Sequence, residues 1–357
     1  MLIPITFALA SMASSPALVV QSAKTATFQA TNEIALTPSK DAKELRAWIA
    51  LPQDDAFTKV ANLEVKCPVT HRVVTDSEGS KVLYVEAKAP FPADLKVVTT
   101  FEVTRTEQKA KIDASATRAI TDEERKAHAK DLAPNTNVVI DEKIQKLAKE
   151  IVGAETNPVK ASRKVYDWVL ANIEYWVKDP ANKKASPVGS SEYCLTSKTG
   201  NCTDFHSLYA ALSRAAGIPT RFYYGSFFKA ELDGQDTDQS YHCWLEFWAP
   251  QLGWIPIDVA IADIFVGDFQ LTKENETLVK RTTAAGYTKA DPSMVDYYFG
   301  NLDERRVLWS LGRDVKVEPA PKVGAINALP KALVEIDGAV SAEKTGWTRK
   351  LTYKQRK

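Results

Sequence analysis

The chain has 357 residues, with 46 basic against 45 acidic side chains and a net charge of +1 at neutral pH. Its 45% hydrophobic and 25% charged content are those of an ordinary globular protein, and its length exceeds one average domain, so two are expected. The balanced charge argues against nucleic acid as a partner, and beyond the N-terminus no apolar run is long enough to span a bilayer.

Taken in chain order, the first 23 residues carry no charge. Ile3 to Ala13 is a short apolar stretch with Ala8, Ala10 and Ala13 around it, similar to a secretory leader and its cleavage zone. The usual positive start is missing and Pro4 interrupts the run. The expectation is a leader over 1–23 and export to the periplasm or beyond, with a cytoplasmic location as the alternative. From Thr25 to Arg105 the chain reads as strands, among them Trp48 to Pro52, Val82 to Glu86 and Thr100 to Thr104. Turn-rich pieces such as Ser77 to Ser80 separate them. A small β-sandwich over 24–110 follows. Glu107 to Asn137 is charged and loses the apolar period, so 111–137 reads as a linker with a solvated helix.

Helical signals run from Asp141 to Ile151 and from Ala161 to Trp176, the second with a stripe of Val165, Trp168, Val169, Ile173 and Trp176. Asn182 to Ser191 is a loop. Gly200-Asn201 is then a turn leading into an amphipathic helix that starts at Cys202, with Phe205, Leu208, Tyr209, Leu212 and Ala216 on one face. Gly217 and Pro219 stop it. Asp204 lies in the first turn, where a carboxylate suits the dipole and can cap free N–H groups. Next comes a hairpin: Tyr241 to Trp248, a turn over Ala249 to Gly253, and a returning strand from Trp254 to Asp258. Pairing Trp248 with Trp254 puts His242 and Asp258 on one face as diagonal neighbours, and Cys243, Leu245 and Phe247 on the other. After Gly286 the chain is turn-rich with short strand-like pieces such as Ala332 to Ile336, read as an extension over 291–357.

Cys202, His242 and Asp258 are the candidate catalytic residues. A helix N-terminus favours a thiolate over a thiol. A neighbouring imidazole takes and returns a proton, and a carboxylate fixes its tautomer. Alternative uses of the same residues exist. His206, one turn after Cys202, is either a partner of the site or simply packed. Zinc could be held by Cys194, Cys202, His206, His242 and Cys243, but the paired Cys-x-x-Cys spacing of structural zinc is missing. Glu231, Asp233, Asp236 and Asp238 offer oxygen to calcium without the EF-hand spacing, so a solvated loop near the cleft is the expectation. No cofactor and no metal are expected. Four cysteines make no disulfide framework, although after export Cys194 could pair with Cys67 or Cys243.

The run Gly200-Asn201-Cys202-Thr203-Asp204-Phe205, with Leu212 to Arg221, resembles the core of the transglutaminase-like family within the papain-like cysteine peptidase superfamily. His242 to Glu246 and Gly253 to Asp258 match that family's histidine and aspartate motifs. The resemblance covers 138–290. It implies an α+β fold, helices packed on an antiparallel sheet, with a Cys202-His242-Asp258 triad, and the β-sandwich ahead of it is similar to that of bacterial members. The family includes peptidases, amidases, peptide N-glycanases and protein cross-linkers, so a protein or peptide substrate is implied. A peptidase or amidase is the first expectation, a glutamine-directed cross-linker or a catalytically silent binding module the alternatives. The backbone N–H of Cys202 is one oxyanion donor. Trp168, Tyr175, Trp176 and Tyr193 are candidates for a second, with core packing the simpler role for most of them.

Overall fold

The computed structural model describes residues 23–110, 112–277, 279 and 288–356; the leader expected at 1–23 lies, except for residue 23, outside the described residues. The N-terminal strands follow period-two chemistry. In β1 (Thr25–Leu36), Phe28, Ala30, Asn32, Ile34 and Leu36 point inward while the residues between them stay partly exposed. Then come β2 (Glu44–Ala50), β3 (Thr58–Lys66), β4 (Thr70–Thr75), β5 (Lys81–Lys88) and β6 (Lys96–Thr106). These form two packed antiparallel sheets, the expected sandwich, around Phe28, Trp48, Tyr84 and Phe101 at one end and Ile34, Leu45, Leu83 and Val97 at the other.

Between the sandwich and the second sheet lie α1 (Asp122–Ala127), α2 (Ala129–Leu132), α3 (Glu142–Val152), α4 (Pro158–Asn172), α5 (Ser191–Ser197) and α6 (Cys202–Ala215). In α1 a reciprocal cap joins Thr121 and Glu124, so this charged helix is held by its own end and needs no buried face. The second sheet has β7 (Thr220–Phe227), β8 (Tyr241–Ala249), β9 (Gly253–Ile257) and β10 (Arg306–Leu311), in the order β9-β8-β7-β10. The short helices α7 (Val259–Ile264) and α8 (Pro292–Tyr297) flank it. Buried apolar residues of α3, α4, α6 and α7 share one core with Tyr224, Leu245, Phe247 and Ile257 of the sheet. The fold is α+β, as expected.

Two expectations are corrected by the strands. The helix read through to Trp176 stops at Asn172, because Glu174 and Tyr175 pair in parallel with Thr199 and Gly200. The hairpin register is as read, Trp248 opposite Trp254, but pairing ends at Leu245 with Ile257, and Asp258 is the N-cap of α7 instead of a strand residue.

The last 66 described residues, 291–356, do not stand apart. Strand β11 (Ala332–Ile336) pairs with β2, and β12 (Trp347–Arg356) pairs with β1 from Leu36 opposite Trp347 to Thr27 opposite Arg356. Both sandwich sheets are therefore completed by the chain's end. Strand β10 joins the two halves: Val307 and Trp309 are buried in the sandwich core, while its first residue, Arg306, turns to the other sheet. Burying Trp309 contributes roughly 2–3 kcal/mol to this junction. Gly225 allows β10 to approach, since a Cβ there would meet the Val307 carbonyl oxygen at 2.2 Å. Gly225 is also the residue directly opposite His242.

Candidate active site

Helix α6 begins as its sequence dictates. The Asn201 side chain accepts the N–H groups of Thr203 (2.9 Å) and Asp204 (3.1 Å), and the Asp204 carboxylate accepts the Asn201 N–H at 2.9 Å. This reciprocal cap fixes the first turn and with it the thiol of Cys202. Asp204 also accepts from the Ser186 hydroxyl (2.6 Å) and the Ser190 N–H (2.8 Å), which ties the 186–190 loop to the helix start. Gly200 has no alternative here, because a Cβ would lie 2.4 Å from that of Asp204.

The three candidate residues come together and are buried: Cys202 is 2% exposed, His242 1% and Asp258 0%. His242 lies beyond the last paired residue of β9, so the chain turning into α7 brings Asp258 alongside it. Nε2 of His242 is 2.7 Å from Asp258 Oδ2. Its Nδ1 has no hydrogen-bond partner in this geometry, and Cys202 is the neighbouring thiol that, with Asp258, acts on the imidazole's charge. The other Asp258 oxygen accepts the Ile261 N–H at 3.1 Å as the cap of α7, and lies 3.6 Å from His206 Nε2.

The electrostatics favour an ion pair. Burial opposes a thiolate at Cys202, but hydrogen bonds from Cys243 and His242 and the positive potential of His242 and His206 outweigh it, holding the thiol well below its ordinary value. Burial also opposes the imidazolium at His242, yet the Asp258 charge and hydrogen bond, with Cys202, raise it. Burial alone would raise Asp258; His242 and Arg306 draw it well below the usual carboxylate range. His206 is driven by burial down to about 4, so it is neutral where His242 is charged. All three shifts run in the direction that favours thiolate, imidazolium and carboxylate side by side.

Other side chains complete the site. Cys243, expected merely to face the core, has its sulfur 3.6 Å from the Thr203 hydroxyl and 3.3 Å from His206 Nδ1, and donates to Cys202. Tyr175 is a hydrogen-bond partner of the Cys202 side chain, whereas Tyr193 bonds the Lys184 carbonyl and Trp168 packs under Lys198. Arg306, a buried residue that none of the sequence motifs singles out, donates from Nη1 to Asp258 Oδ2 at 2.7 Å. No local pattern could have revealed it, since it lies 48 residues from its partner; the one sequence signal is an arginine opening an apolar strand.

The zinc and calcium readings meet different surroundings. Cys202, His206, His242 and Cys243 do cluster, but their contacts are to one another and to Asp258, and Cys194 is buried on α5. All four cysteines are free thiols. Among the described residues, no group of three or more His, Cys, Asp or Glu is arranged to hold a metal ion. The acidic loop, expected to be solvated, is engaged by the C-terminal strand. Asp236 accepts the Leu351 N–H (3.1 Å), Asp233 the Gln355 N–H (3.2 Å), and Asp238 is buried against Lys331 (2.8 Å) and Arg349. Each of these three carboxylates already has a protein donor, so we expect an unchanged melting temperature in EDTA and in millimolar calcium. A calcium-dependent rise of several degrees in a thermal scan would show that the loop opens to bind the ion.

Known proteins are similar to this chain over the region that holds these residues. Residues 145–259 match the model of the transglutaminase-like superfamily, so the chain carries a transglutaminase-like domain around the cluster just described. Over 325 residues it is 25% identical to a Haemophilus influenzae protein described as uncharacterized, covering 85% of this chain and 84% of that one. A Cytophaga hutchinsonii crystal structure, named provisionally as a cysteine protease, shares the fold with a TM-score of 0.55 at 16% identity, covering 93% of this chain and 98% of that one. The periplasmic domain of TgpA from Pseudomonas aeruginosa aligns more loosely, with a TM-score of 0.34 at 14% identity over 66% of this chain and 87% of that one.

Proposed function

We propose that this protein is a thiol-dependent hydrolase of peptide or amide bonds, with Cys202 as nucleophile, His242 as general base and acid, and Asp258 as the group that orients His242. The observation that carries the reading is a buried cluster of a helix-start thiol, an imidazole and a carboxylate, the imidazole hydrogen-bonded to the carboxylate at 2.7 Å and the thiol and imidazole shifted toward an ion pair. In the ion pair the thiolate attacks the carbonyl carbon and the C–O π electrons move to oxygen. The Cys202 backbone N–H, which has no intrahelical acceptor at the first helical position, stabilises that oxyanion. Tyr175, which engages the thiol, yields it to the substrate and becomes the second donor. His242 Nδ1–H protonates the leaving amine as the C–N bond breaks, leaving a thioester. His242 then takes a proton from water as the water oxygen attacks the thioester carbon; the C–S bond breaks, the carboxylic acid leaves, and the thiolate–imidazolium pair is restored.

The name of the Cytophaga relative agrees with this chemistry, and the uncharged segment 1–23 favours an exported enzyme acting on protein or peptide. The test is incubation with a glutamine-containing peptide library, with and without a primary amine, and product identification by mass. Hydrolysed amides or peptides in both mixtures are expected. Products that appear only with amine, as adducts, would replace the hydrolase by an amine acyltransferase. Peptide retention with no product would leave a binding module.

A further inference from the structure

Behind Asp258 the structure holds a second ion pair that a Cys-His-Asp mechanism does not call for. Arg306, whose side chain is fully buried, donates from Nη1 to the same Oδ2 that serves His242. Its other edge is fixed by Asp303, with Nε at 2.9 Å and Nη2 at 2.7 Å from one oxygen. Its guanidinium carbon lies 4.5 Å from the centroid of Phe227, whose ring stacks on His242 at 4.6 Å and 25°. Guanidinium, phenyl and imidazole thus form one stack, and Asp303, Arg306, Asp258, His242 and Cys202 form a line of alternating charge.

We propose that Arg306 is a positioning residue that sets the strength of Asp258 as the partner of His242. The inference rests on the acyl-transfer reading above for its purpose, though not for its measurement. A lone carboxylate against an imidazole in a buried site would hold the imidazolium proton tightly, because little solvent screens the pair. Such a histidine would accept a proton readily and release it poorly to a leaving amine. Arg306 shares Oδ2 and offsets the charge, so His242 stays protonated in the resting ion pair and can still give its proton up. The clamp also fixes which oxygen faces Nε2, while Ile261 holds the other.

The groups facing His242 are Cys202 and His206 from α6 and Asp258 at the start of α7, while Cys243 and Tyr241 of β8 act on Cys202. Tyr175 lies next to Cys202, and Tyr166 of α4 faces Asp258. Of the cations around Asp258, Arg306 is the one that keeps its charge at every accessible pH. Removing it leaves Asp258 uncompensated and must move the His242 titration upward. Removing Asp303 instead frees Arg306 for Asp258 and must move it downward.

The test is a pH titration of the full-length protein labelled with ¹⁵N-histidine, whose four histidines are resolved by imidazole nitrogen shift, with His242 assigned by the loss of its signal in His242→Asn. In Arg306→Gln the His242 midpoint should rise by about one pH unit. Arg306→Lys, which keeps the charge, should return it most of the way, and Asp303→Asn should lower it. An unchanged midpoint in folded Arg306→Gln, or an unchanged or raised one in Asp303→Asn, overturns the proposal. Asp303→Asn decides alone if Arg306→Gln does not fold. Full activity in Cys202→Ala would overturn the acyl-transfer reading without altering this titration, so the two failures are distinguishable.

Discussion

Asp258→Asn should fold and yet lose two to four orders of magnitude in turnover. The loss is about 10⁴-fold for the corresponding change in a serine protease, and a thiol already paired with imidazolium needs less activation. Asparagine caps a helix as well as aspartate does, so the Ile261 N–H keeps its acceptor and α7 its start. What disappears is the negative charge. The Asp258 charge is what raises His242, so in the variant the imidazolium is lost at lower pH and the alkaline limb of the rate profile moves down. Arg306 keeps Asp303 as its counter-ion, which limits the cost to stability. Steady-state rates from pH 5 to 9 check both parts. Wild-type turnover in a folded variant would remove Asp258 from the mechanism.

Cys202→Ala should bring activity to background, a loss on the order of 10⁶-fold by analogy with removal of a protease nucleophile. The substitution deletes one sulfur from a packed site and leaves the Asn201–Asp204 cap intact, so circular dichroism and melting should change little. Activity surviving at even a hundredth of wild type, in protein free of wild-type contamination, would require another nucleophile. Cys243 would be the first to examine, since its thiol already donates to Cys202.

The parts of this molecule that could be read in advance are those set by neighbours in sequence. The Gly-Asn turn, the acidic residue three places on and the apolar stripe define α6 and its cap, and the two tryptophans fix the hairpin register. Where the strand ended was harder. Asp258 can continue a strand or cap a helix, and the apolar run Val259 to Ile264 supports either choice until its packing against α6 is known. The residues that escaped are those whose role is made by distant chain. Arg306 finds Asp258 only because β10 runs beside β7, and the acidic loop finds its donors only because β12 closes the sandwich against β1. Strand pairing across more than three hundred residues leaves no periodic trace at either end, and so the chain after 290 read as an appendage. Tyr175 is among the candidate oxyanion donors of the sequence, but a parallel pairing with Gly200, not the helical spacing read there, carries it to the thiol.

If Cys202 is a thiolate because His242 is its cation, thiol alkylation at pH 6 reveals it without any substrate. Burial raises Cys67 and Cys194, and hydrogen bonding to Cys202 adds to burial in raising Cys243, so all three are protonated at that pH. Limited iodoacetamide at pH 6 followed by peptide mapping should therefore modify Cys202 first. The same treatment of His242→Asn should remove that preference. Modification of Cys202 no faster than Cys67, or an undiminished preference in His242→Asn, would contradict the ion pair on which the account rests.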